Sequence, residues 1–139
     1  MSRAAVMDAI LAEPRLQALG FDSSNVLANY DGNQRPSDKM FMVLRWEAHD
    51  IDVRLGRGPH HLAIWTHMYR DFSTDYNHLD NVVDILDSVL GSIEDTAGAD
   101  GYTVTQIDAE GRSRDLKDDG YQTFCRSTSY RVISHLTPT

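Results

Sequence analysis

At 139 residues, with 41% apolar and 24% charged side chains, the chain has the size and make-up expected of one globular domain around a single core. A formal net charge of −8 excludes a surface built to grip nucleic-acid phosphates, which needs clustered Lys and Arg, but not a protein that DNA merely passes. No apolar run is long enough to span a membrane and the first residues lack the plan of a signal peptide, so the expected compartment is the cytoplasm.

Ser2 to Glu13 reads as a first helix (2–13) with Val6, Ala9 and Ile10 on one side and Ser2 as its cap. Pro14 sits where it would stop or restart. Arg15 to Leu19 adds a turn that Gly20 ends. The helix is weak alone, so it should dock through Val6, Ile10, Leu16 and Leu19. Val26 to Tyr30 is a short strand, and Asp31 to Asp38 (DGNQRPSD) has the turn-forming composition of a loop. Met40 to Glu47 (MFMVLRWE) is a strand apolar on both faces, as in a central strand or one buried at a subunit contact. Ala48 to His60 reads as a long, partly extended loop, broken by Gly56, Gly58 and Pro59, in which Ile51, Val53 and Leu55 alternate.

His61 to Tyr69 is the next strand. The clearest element follows: Leu79, Val82, Val83, Leu86, Val89, Leu90 and Ile93 recur at three- and four-residue steps, which predicts a long amphipathic helix over 75–96. Ser73 and Thr74 are its expected caps, and Gly98 lies beyond its end. A C-terminal β-meander then spans 101–135. It comprises Gly101 to Ala109, a tight turn at Glu110-Gly111, a short polar strand over Arg112 to Lys117, a turn at Asp118-Asp119-Gly120, and a long strand from Tyr121 to His135. Apolar residues change face between Cys125 and Tyr130, which predicts a bulge near Ser127 to Ser129. Strands set apart from helices predict an α+β fold: a mostly antiparallel sheet with the long helix packed across it and a short N-terminal helix.

Chemistry is sparse. Cys125, the single cysteine, cannot form an internal disulfide and reads as a small buried apolar residue. His60-His61 with His67, or His49 with Asp50 and Asp52, could be pictured as metal ligands, but adjacent strand residues point to opposite faces and no HExxH or CxxC occurs. The acidic runs at Asp108 to Gly111 and Asp115 to Gly120 lack the alternating ligands of a calcium loop and fit hairpin turns. With no nucleophile elbow, P-loop or dinucleotide fingerprint, neither an enzyme nor a cofactor is expected. Apolar surface stands out instead. Either the two helices cover the sheet, or the strand and loop carrying Met40, Met42, Trp46, Ile51, Val53, Arg54, Leu55 and Arg57 meet another subunit. Asp80, Asp84 and Asp87 share one helix face, which is either simply solvated or presented to a partner or a lumen.

An ordered set of segments resembles one family across nearly the whole chain. These are Val26-Leu27-Ala28-Asn29-Tyr30, Arg35-Pro36-Ser37 and Leu44-Arg45-Trp46-Glu47, then Asp75-Tyr76, Leu79-Asp80, Ile85-Leu86 and Val89-Leu90, then Asp115-Leu116-Lys117-Asp118-Asp119-Gly120-Tyr121 and Tyr130-Arg131-Val132. The family is the tail terminator (tail-completion) proteins of long-tailed bacteriophages, especially those infecting actinobacteria. The resemblance implies a structural virion protein, assembled in the host cytoplasm, that forms a closed ring, typically a homohexamer. Such a ring ends tail-tube polymerisation and offers the head–tail joining surface. Its implied partners are further copies of itself, the tail tube protein and a head-completion or neck protein, with DNA passing through unbound and no membrane. The alternatives are another neck or tail-tube component, or a small histidine-dependent metal- or ligand-binding protein or hydrolase.

Overall fold

The computed structural model describes residues 3–28, 39–49 and 57–138, with 48, 49, 57 and 58 defined by backbone alone. In chain order the elements are α1 (Arg3–Ala12), α2 (Pro14–Ala18), β1 (Val26–Leu27), β2 (Phe41–His49), β3 (Arg57–Tyr69), α3 (Asn77–Gly91), β4 (Thr96–Ala97), β5 (Tyr102–Arg112), β6 (Leu116–Asp118) and β7 (Thr123–Leu136). The fold is α+β: a mostly antiparallel, curled sheet with α3 packed on it and a short N-terminal helix. Strand order is β1-β2-β3-β7-β5-β4, with β6 also on β7, and only β1 and β2 run parallel. Its spine is the β3–β7 pair, in register from Arg57↔His135 to Tyr69↔Thr123.

One sheet face lies under the helices. Met42 and Leu44 of β2, Leu62, Ile64 and Met68 of β3, Val104 and Ile107 of β5, and Tyr130 and Val132 of β7 form one core with the α3 stripe and with Ala5, Val6, Ile10 and Leu16. β2, β3 and β7 contribute residues at even spacing, as the two-residue side-chain period requires, whereas in β5 Val104 and Ile107 stand three apart across a register slip. Ile85, which the stripe omitted, is also buried, because α2 packs beside α3 there. On the opposite face a smaller cluster gathers Leu27, Phe41 and Val43 with Trp65, Tyr69 and Tyr121. His67 stacks on Phe41 at 4.6 Å, and its Nδ1 lies 2.8 Å from Thr123 Oγ1.

Several expectations are corrected. The long helix runs Asn77–Gly91, not 75–96. Before it, Ser73 Oγ accepts from the Asp75 amide and Asp75 Oδ1 from the Asn77 amide, so these residues make successive tight turns and Tyr76 begins the helix without a side-chain cap. After Gly91, Ser92 folds its hydroxyl onto the Val89 carbonyl, and Asp95 takes φ +45° to turn the chain into β4. Ile93 stays buried although it is no longer helical, which is why the stripe overran the helix. Leu19, expected to dock, is exposed.

Much of the expected loop between 48 and 60 is strand: β2 runs to His49 and β3 starts at Arg57, leaving 50–56 outside the described residues. Glu110-Gly111 is not a turn. β5 runs through it to Arg112, and the β5–β7 register slips there and again between Val104 and Gln106, placing one extra β5 residue at each slip. The expected bulge at Ser127 to Ser129 is absent, since β7 stays in register with β3 through those residues. What reads as a change of face is two polar residues, Arg126 and Thr128, on the helix side of an unbroken strand.

Candidate functional site

Among the described residues His60, His61 and His67 do not converge, and the other pictured ligand set, His49 with Asp50 and Asp52, lies outside the described side chains. His60 is buried on the helix face, its ring 4.5 Å from that of Trp46, while His67 is buried on the opposite face and His61 sits 3.0 Å from Glu110. Among the described residues no three His, Cys, Asp or Glu side chains gather as a metal site. Cys125 is buried, and burial, aided by the Asp118 carboxylate, pushes its thiol up to about 11; it is the wrong environment for a nucleophile.

The helix-face carboxylates each find a cation brought by the sheet. Asp80 lies 2.9 Å from Arg126 Nε, and Asp84 and Asp87 accept from Arg112 at 2.7 and 2.9 Å. Asp87 also accepts the Tyr130 hydroxyl at 2.6 Å; burial first, then this bond, pushes the phenol pKa up. Asp84, foremost, holds Arg112 above its ordinary value. This row therefore ties α3 to β5 and β7, and because Arg112 serves two carboxylates and Arg126 also pairs with Asp115, it is only partly neutralised within the chain. Sequence distance hid the pairing: Arg112 lies 28 residues from Asp84 and 25 from Asp87.

Of the expected interface residues, Met42 is fully buried and Met40 nearly so, both inside the chain's own core. Trp46 is half-buried under α1, where the Arg3 guanidinium lies 5.8 Å from its ring centre. Ile51, Val53, Arg54 and Leu55 lie outside the described residues, and Arg57 is placed only by its backbone, opposite His135.

Two features that the sequence reading missed are surface ones. Phe72, in the turn between β3 and α3, is 55% exposed, its ring resting edge-on against His78 at 5.3 Å. At the other end of the sheet, Arg3, Ala4, Met7, Ala28, Leu44, Trp46 and Asp100 line an open, mostly apolar cavity of about 360 Å³. Nothing in the sequence near Phe72 marks it as exposed, and the cavity joins four segments distant in the chain.

These features define a class: an α+β domain whose noteworthy described surface features, Phe72 and the cavity beside Trp46, are apolar. The same fold occurs in a chain of the "Virion of native gene transfer agent (GTA) particle", with a TM-score of 0.71 at 14% identity, over 94% of this chain and 92% of that one. At that identity the likeness is one of fold. No family model matches the sequence, and neither does any curated protein. No helix among the described residues is long and apolar enough to cross a membrane.

Proposed function

We propose that this chain is a structural virion protein of a phage-like particle, and within it the ring-forming subunit that ends tail-tube growth and presents the head–tail joining surface. The observation that carries the reading is the nearly end-to-end fold likeness to a chain of a gene transfer agent virion. It agrees with the segment-by-segment resemblance to tail terminators. The exposed Phe72 and the open apolar cavity beside Trp46 are surface that suits contact with other chains. An acidic subunit suits a passage for DNA, because like charge discourages the polymer from adhering.

Light scattering on a sizing column across a concentration series, with negative-stain microscopy of the same fractions, tests this. The expected result is one discrete mass, six times that of the chain, with single ring-shaped particles. Long stacks would instead make the chain a tube component. A monomer that co-purifies with stoichiometric metal would favour the ligand-binding alternative.

A further inference from the structure

Phe72 and the cavity beneath α1 are two unlike patches, and their chemistry is complementary. The cavity is walled by Ala4, Met7, Ala28, Leu44 and Trp46, and at about 360 Å³ it has room for one aromatic side chain. Its one cationic rim group is Arg3, whose guanidinium lies over Trp46 and forms no ion pair among the described residues. The rim carboxylate, Asp100, is already engaged: Oδ2 accepts the Arg3 and Ala4 amides and Oδ1 the Tyr102 amide. Phe72 for its part is flanked by exposed Asp71 and, one helix approach later, exposed Asp75, neither of them in an ion pair among the described residues.

We infer that Phe72 of one copy inserts into the Trp46–Met7 cavity of a second copy, with Asp71 meeting Arg3 at the rim. The two patches cannot meet within one chain. Trp46 pairs with Leu62, and Phe72 lies in the turn that follows the end of that strand at Tyr69, so at a rise of ~3.3 Å per residue from Leu62 to Tyr69 the patches stand about 20 Å apart. A contact between two different patches is heterologous and repeats in one direction, so it closes into a ring or runs on as a filament. The inference rests on the ring-forming reading above and names its contact.

The test replaces Phe72 with the photoreactive analogue p-benzoylphenylalanine, which keeps the aromatic ring, and maps the cross-links by mass spectrometry. Cross-links from position 72 to Met7 or Ala28 of a second copy are expected. Arg3→Glu or Asp71→Arg alone should weaken self-association at least ~10-fold, and the double exchange should restore it. Circular dichroism melts unchanged by each variant would show that folding is intact, since both side chains are at the surface. If the wild-type protein assembles but position 72 cross-links elsewhere, or the double exchange restores nothing, this contact is overturned and the ring reading survives. A wild-type protein that stays monomeric without cross-links overturns both.

Discussion

At the residue scale, the most consequential side chain is Arg126. It is buried, yet it is charged, and the fold surrounds it with Asp80, with Asp115, with the Ser113 carbonyl at 2.7 Å and with the Tyr76 ring at 5.7 Å. A buried guanidinium persists only when paired in this way. Arg126→Ala should destabilise the protein by about 1–3 kcal/mol, less than for a fully buried pair, because Asp80 and Asp115 are 42% and 60% exposed and regain water. A urea midpoint lowered at unchanged slope would show it. Cys125 makes a pH prediction. Its folded thiol holds its proton to about 11, whereas the unfolded thiol releases it near 9.0. Above the unfolded value the unfolded chain therefore binds fewer protons than the folded one. The contribution is whole below pH 9.0 and is lost as pH rises towards about 11, by roughly 2–3 kcal/mol in all. The difference in unfolding free energy between wild type and Cys125→Ala, followed from neutral to alkaline pH, should shrink or change sign across that window. A constant difference would show that the thiol is not shielded.

At the scale of elements, α1 is held by contacts its own sequence does not contain. Asp100 caps its first amides, and Gly98 lies so close that an added Cβ would sit 2.9 Å from the Ala5 nitrogen. That neighbour is backbone and cannot rotate aside. Gly98→Ala should therefore shift α1 off the β4–β5 turn and cost about 1–3 kcal/mol, with amide hydrogen exchange rising in α1 before α3. For α3 the three-to-four-residue stripe was readable directly, because a helix must show its apolar period along the chain. Its ends were not: Ile93 is apolar and buried for reasons of tertiary packing, and periodicity alone cannot separate that from one more helical turn. The two β5 slips escaped notice for a similar reason, since an extra residue is defined only against the partner strand.

At the scale of the whole molecule, a net charge of −8, with Arg112 and Arg126 both engaged by the acidic face of α3, leaves no concentrated cationic surface among the described residues. The protein should not retard duplex DNA in a gel at about 0.15 M salt, assembled or not, and retention there would contradict a passage through which DNA moves freely.

Composition, apolar period and turn chemistry along the chain were enough to determine the α+β class, the position of α3 and the rough extent of β3 and β7, because each depends on neighbours within a few residues. Tertiary structure alone decided that Met42 is core, that Asp80, Asp84 and Asp87 are paired with arginines of β5 and β7, and that Phe72 is left outside. These depend on which distant strands lie side by side. A linear pattern shows that a residue wants a partner, and the fold determines whether it finds one within its own chain.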